Sequence, residues 1–366
     1  VTQLPSGSRL NIAALSAVFA DTTNAYKFYW FLAILDHLRD TGTARVAMHD
    51  LALRMLGSVW YPLDYFKLSF GRRDTFKPIA AFITQHVVVD NSPTAPPLFT
   101  QLRAMPTAEQ QLLQAWVRKL TNWVPYRFIR PMFAEETRAL HDPKVNALII
   151  ALANAGNRAP YRFDGKDLVL HEEWIEYLQQ HQAILRGFIQ WHLVRFLQKN
   201  NPNVTGLTEK LDKPSQRDLK TASHFWKHYL TAHPALTCIY SGQPIILKSL
   251  SLDHFLPWSF VAHDQLWNII PTPKTVNSTK NDWLPSFPQY FEPFAALQYS
   301  AFQFHADQEH YALLEDYHLL FARDIAALRE LSYSSFRDYL HGQLAPQLQI
   351  AQNLGFSYPF VYRGIT

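Results

Sequence analysis

One cysteine in 366 residues, Cys238, leaves no partner for an intramolecular disulfide and too few thiolates for a cysteine-built zinc site. Any metal the chain uses is therefore expected on oxygen or imidazole. Long apolar runs are also missing. The longest, Phe28 to Leu35, falls far short of the roughly 20 residues of a membrane-crossing helix. No basic stretch leads into an apolar segment at the start, so the expectation is a soluble, cytoplasmic protein with no membrane partner. Neither sign of charge dominates: 34 Lys and Arg face 30 Asp and Glu, a bias too small to identify a polyanion binder. Repeats and low-complexity tracts are absent. Apolar residues, in contrast, make up 48%, with 25 Phe, 17 Tyr and 10 Trp, which excludes a disordered scaffold.

The length suggests roughly two or three domains, and the periodicity says what they are made of. Apolar residues recur at helical spacing through Leu10–Val18, Phe28–Leu35 and Val46–Leu56, giving three helices. An apolar element at Ile79–Val88 precedes a proline-rich loop, Asp90 to Pro106. Helices are predicted again over Leu112–Trp123, over Val145–Ala155 with Gly156 at its end, and from Glu172 to about Lys199. Between them, Tyr161 to Leu170 alternates around Asp164-Gly165, the signature of a small hairpin. The fold class expected is mainly α with a small ββα module. A helical domain covers 1–230, the module 231–285, and C-terminal helices 286–366 pack back with Leu313, Leu314, Leu319 and Leu320 as core.

A helix predicted over Ser215–Leu230 puts Arg217, Lys220, His224, Lys227 and His228 on one face, opposite Leu219, Ala222, Trp226 and Tyr229. This cationic stripe stands just ahead of the segment that carries chemistry, where it is expected to dock phosphates. In that segment, strands at Gln243–Leu247 and Leu250–Asp253 and a helix containing Asn277 and Lys280 would gather Asp253, His254 and Asn277. Phosphodiester hydrolysis needs a base for water and a hard cation to neutralise the phosphate. An imidazole supplies the first. One carboxylate with one amide oxygen suits Mg²⁺ (or Mn²⁺) that keeps several waters. Lys280, one turn after Asn277, is placed to reach a phosphate.

Asp253-His254, Pro257, Ser259-Phe260, Asp264, Asn268, Asn277, Lys280, Asp282 and Pro285 together resemble the HNH, or ββα-metal, endonucleases. The likeness is greatest to the HNH module of CRISPR RNA-guided DNA nucleases, with fourteen positions from His254 to Asn268 and nine from there to Asn277. The resemblance spans 238 to 285. It implies His254 as general base, Asp253 and Asn277 as metal ligands, and Asn268 as the residue bracing the loop that orients the histidine. Lys280 is similar to the family's lysine, in a phosphate-contacting or helix-packing role, while Asp264 and Asp282 are read as structural. Where many HNH proteins carry two Cys-x-x-Cys pairs, this chain has Cys238, Ser241, Pro273 and Val276. No structural zinc is expected, and Phe255, Trp258, Phe260, Trp267 and Trp283 are the aromatic mass available instead.

The expected activity is Mg²⁺-dependent hydrolysis of double-stranded DNA, leaving a 5′-phosphate and nicking one strand per site. The run Thr23-Asn24-Ala25-Tyr26-Lys27-Phe28-Tyr29-Trp30 resembles HNH proteins of bacterial defence loci, which implies defence against foreign DNA and protein partners of such a system. An RNA-cleaving or partner-activated toxin-like nuclease, and a nucleic-acid-binding adaptor with a silent HNH module, stay open beside it. His305, Asp307, Glu309 and His310 mimic a metal cluster, but acids at the start of a helix account for them more simply. Tyr26, Trp30, Trp60 and Tyr61 read as core.

Overall fold

The computed structural model describes residues 4–7, 9–90, 95–138, 140, 144–213 and 217–364. The chain is mainly helical, with one three-stranded and one two-stranded antiparallel sheet among the described residues. None of the described helices is long and apolar enough to cross a membrane. The chain divides into two compact units, Val1–Pro202 with Leu207–Lys213, and Asn203–Gly206 with Pro214–Thr366. The division thus falls near 214, and the C-terminal helices join the ββα segment in one unit rather than packing on a body that ends at 230.

The first unit is built around helix Tyr26–Thr41, buried on nearly every side through Phe28, Tyr29, Trp30, Phe31, Ile34 and Leu35. A helix apolar all round must be enclosed, and Met48–Trp60, Val124–Ile129, Glu172–Gln180 and Gln182–Asn200 pack on it. Trp30 donates its indole N–H to the Tyr161 hydroxyl at 3.2 Å, which in turn donates to the Pro125 carbonyl at 2.5 Å. Tyr161–Asp164 and Asp167–Leu170 form the expected hairpin, with Gly165 at φ 62° in its turn. A third strand, Arg45–Ala47, pairs with Asp167–Leu170, and Arg45 reaches both Asp164 and Asp167.

Two predicted elements of this unit differ. The long helix from Glu172 breaks at His181, whose ψ of 20° leaves the helical region, so Glu172–Gln180 and Gln182–Asn200 are separate helices. The loop read over Asp90–Pro106 contains helix Leu98–Arg103, which begins directly after Pro97 and buries Leu98 and Leu102; residues 91–94 lie outside the described set.

The second unit closes one hydrophobic core over a two-stranded sheet. Leu250–His254 pairs antiparallel with Ile269–Pro273, with Asp253 opposite Ile270 and His254 opposite Ile269. The predicted strand Gln243–Leu247 does not form; only Pro244 bridges to Thr237, and Ile246 and Leu247 remain exposed. Pro244 has no N–H to give a ladder, whereas Ile269 and Ile270 are wholly buried.

Three helices support the sheet. Trp226, from Lys220–Ala232, donates to the Ile269 carbonyl at 3.1 Å. Gln298, from Phe287–Asp307, donates to the Leu266 and Ile269 carbonyls and accepts from the Tyr317 hydroxyl. Phe294 of the same helix stacks on Phe255, ring centres 4.0 Å apart. Lys274–Lys280 packs against Leu250–His254.

Cys238 is buried, and its turn is closed by backbone bonds between Cys238 and Gln243 and between Gly242 and Cys238. Tyr240 packs edge-on against Tyr290 and Phe360 beneath it. Phe255, Trp258, Phe260 and Trp267 are buried as expected, but Trp283 is exposed. Of the four leucines expected in the core, Leu314 is wholly buried, Leu313 and Leu320 pack partly, and Leu319 faces solvent.

Candidate nuclease site

Successive side chains on a strand point to opposite faces, and this splits the Asp253-His254 pair into two environments. Asp253 turns inward. Its Oδ2 accepts from the Tyr240 hydroxyl at 3.1 Å, and the Lys280 ammonium lies 3.2 Å from both carboxylate oxygens. Burial pushes the Asp253 carboxyl up, against the opposing pull of Lys280 and His254. The Tyr240 phenol is pushed well up, first by burial and then by the carboxylate.

His254 has a different partner, its Nε2 standing 2.9 Å from Asp264 Oδ1. A carboxylate accepts, so Nε2 carries a proton, and Nδ1 is the nitrogen that can hold a lone pair. Asp264 reaches this position because helix Trp258–Val261 ends at Ala262 in the left-handed region, φ 57° and ψ 33°, reversing the chain. An L-residue there costs on the order of 1 kcal/mol.

Asn268 is wholly buried, and its amide brackets the Leu256 peptide. Its Oδ1 accepts from Leu256 N at 2.8 Å and its Nδ2 donates to Leu256 O at 2.9 Å, while its own carbonyl accepts from Phe255 N at 2.7 Å. The asparagine thereby fixes the two residues that follow His254. Asn277 is held similarly. Its Nδ2 donates to the Leu252 carbonyl at 2.9 Å and contacts Ser251 Oγ at 2.8 Å, which assigns its Oδ1 as the atom left over.

Asp253, His254 and Asn277 line one cleft of about 290 Å³, with Arg217, Trp258, Lys274 and Asp282 at its walls. No group of three or more His, Cys, Asp or Glu able to hold a metal occurs among the described residues. Asp253 and Asn277 bring one carboxylate and one amide oxygen to this cleft, and Asp282 adds a second carboxylate at its wall. They fit a hard, largely hydrated dication, because a carboxylate retains acceptor capacity beyond its bonds to Tyr240 and Lys280.

Lys280 departs from its predicted phosphate contact. It is wholly buried, and its Nζ donates to the His254 carbonyl at 2.7 Å besides pairing with Asp253. One helical turn after Asn277 points it down onto the strand rather than out to the cleft. The exposed Lys274, at the start of the same helix, is the cation that lines the cleft instead.

The cationic stripe is also rearranged. The described helix starts at Lys220, where Asp218 Oδ1 accepts the Lys220 N–H; the predicted start at Ser215 lies outside the described residues. Arg217 therefore lies off the helix, and its guanidinium sits 5.3 Å over the Trp258 ring at the cleft. Lys220, His224 and Lys227 are exposed on the helix but do not line the cleft. His224 packs against His228, ring centres 4.1 Å apart. The residues that spacing alone missed are Tyr240, the Asp264 carboxylate as partner of His254, and Lys274.

Residues 238–286 match the HNH endonuclease family. No curated protein and no solved structure matches the chain. The match spans about an eighth of the sequence and supports a nuclease domain in that segment.

Proposed function

We propose that the second unit is a divalent-metal-dependent endonuclease that hydrolyses one strand of double-stranded DNA at each site. The observation that carries this reading is the meeting of Asp253, His254 and Asn277 at one cleft walled by Arg217 and Lys274. In the proposed reaction, His254 takes a proton from water on Nδ1 while Asp264 holds Nε2–H and steadies the imidazolium. The water oxygen bonds to phosphorus as the P–O3′ bond breaks and the departing O3′ takes a proton from solvent water, leaving a 5′-phosphate and a 3′-hydroxyl. Arg217 and Lys274 bind the phosphate oxygens and hold the scissile group in line. Asn268 acts one step back, as a positioning residue for the backbone after His254.

Asp253 and Asn277 would hold Mg²⁺ or Mn²⁺, which when bound supplies Lewis-acid neutralisation of the phosphate and leaving oxygen. Defence against foreign DNA is the biological setting we assign, supported by the likeness of the Thr23–Trp30 run to defence-locus HNH proteins.

The test is conversion of supercoiled plasmid by wild type and His254→Ala, each with Mg²⁺ or EDTA. Relaxed circles only with wild type and Mg²⁺ are expected. Cleavage of RNA but not plasmid would move the reading to a ribonuclease. Retarded but intact plasmid in every lane would leave a binding adaptor.

A further inference from the structure

The first unit contains a cavity of about 690 Å³ between the segment Ala17–Lys27, helix Val124–Ile129 and the stretch ending at Arg138. Among the described residues four cations line it, Lys27, Arg127, Arg130 and Arg138, against one carboxylate, Asp21. Neutral oxygens hold two of them. Lys27 Nζ donates to the carbonyls of Val18 and Asp21 at 3.1 and 2.7 Å, and the Arg130 guanidinium donates to the Thr137 carbonyl and hydroxyl at 3.1 and 3.4 Å. Burial pulls the Lys27 ammonium below its ordinary range, and Arg127 and Arg130 add to that against the pull of Asp21. Cations that share one hollow raise its positive potential and favour an anionic ligand there.

An aromatic surface completes the cavity. Trp123 lines it while 45% exposed, and the Arg127 guanidinium sits 5.5 Å from its ring centre. A large exposed indole beside converging guanidinium groups presents a face for a planar base next to donors for phosphate. The volume falls within the range of small-ligand sites. Cations that converge on one cavity, rather than following a line, suit a compact polyanion better than a polymer backbone.

We propose that this cavity binds a nucleotide, its phosphates held by Lys27, Arg127, Arg130 and Arg138 and its base laid on Trp123. The run Thr23-Asn24-Ala25-Tyr26-Lys27 thereby acquires a role, since Thr23, Asn24, Tyr26 and Lys27 all line the cavity. The site lies wholly within the first unit, and its binding chemistry stands apart from the nuclease reading.

Isothermal titration calorimetry of the full chain with ATP, AMP, adenosine and tripolyphosphate tests it. ATP and AMP are expected to bind, and adenosine is not. Arg138→Glu, an exposed position, should weaken ATP by about tenfold or more. Trp123→Ala should weaken ATP while leaving tripolyphosphate unchanged. Circular dichroism and thermal melting establish that each variant is folded. Absence of heat with ATP and AMP at millimolar concentration overturns the proposal, as does undiminished ATP affinity in folded Arg138→Glu and Arg127→Ala. Binding of a short single-stranded oligonucleotide, lost in the same variants without any binding of mononucleotides, would replace it with a nucleic-acid surface.

Discussion

Asp264 Oδ1 stands 2.9 Å from His254 Nε2, although the two are ten positions apart in the chain. The pair fixes the tautomer of the ring and leaves Nδ1 as its basic atom. Asp264→Asn presents an amide that can accept at one atom only, so turnover of plasmid is expected to fall by about tenfold to a hundredfold. KM for plasmid and the melting temperature should stay near wild type, since in the proposed reaction the carboxylate acts through His254 and not on the substrate. Asp264→Glu should restore part of the loss. Initial rates against plasmid concentration check this, and full activity in the Asp264→Asn protein would remove Asp264 from the mechanism.

His305 belongs to stability rather than to chemistry. The expected start of a helix is in fact the end of Phe287–Asp307, where His305 is wholly buried. Its Nε2 must donate to the Phe225 carbonyl at 3.0 Å, so its Nδ1 accepts from His310 Nδ1 at 3.1 Å. Burial is the first cause, with His310, His228 and His224 adding repulsion, and together they bring His305 down to about 4.

A histidine depressed from 6.5 favours the unfolded chain once protons become available. Its contribution is complete above about pH 6.5 and is lost as pH falls toward 4. The slope from this one group reaches at most about 1.4 kcal/mol per pH unit. Thermal melts of wild type should therefore fall between pH 6.5 and 4, and His305→Gln should show a shallower fall from a lower starting point. Equal slopes in the two proteins would exclude His305 as the source.

Much of the site was legible because its spacing is local. Asp253-His254 sits on one strand, and Asn277 lies on the helix that follows its partner strand, so a correct count along the chain is nearly a correct position in space. The partner of Leu250–His254 was misplaced at Gln243–Leu247, since both candidates are rich in isoleucine, and it is the missing N–H of Pro244 and the contacts of Trp226 and Gln298 with Ile269 that favour Ile269–Pro273. The His254–Asp264 pair depends on the left-handed turn at Ala262, which no glycine announces. The burial of Lys280 depends on Asp253 and Tyr240 arriving from other elements. In the first unit, helical periodicity identified Tyr26–Thr41, Met48–Trp60 and Thr107–Thr121. Strand Arg45–Ala47, at three residues, is too short to carry a period and exists through its pairing with the hairpin.

The cationic residues near the cleft divide by what they touch, and this separates affinity from turnover. Arg217 and Lys274 line the cleft, whereas Lys220 and Lys227 lie exposed on helix Lys220–Ala232 away from it. Removing a distant phosphate contact weakens binding and reduces its salt dependence by roughly one unit of slope per contact, with little effect on the bound complex. Removing a group that holds the scissile phosphate lowers turnover as well. Arg217→Ala should therefore reduce kcat by about tenfold or more and weaken plasmid binding, while Lys220→Ala with Lys227→Ala should raise KM and flatten the salt dependence at nearly unchanged kcat. Trp258→Ala is expected to follow Arg217→Ala in part, because the ring lies 5.3 Å beneath the guanidinium and holds it at the cleft. Steady-state rates and filter binding at several salt concentrations distinguish the two groups. An Arg217→Ala protein that changes only KM would place the arginine among the remote phosphate contacts and leave Lys274 as the cation at the scissile group.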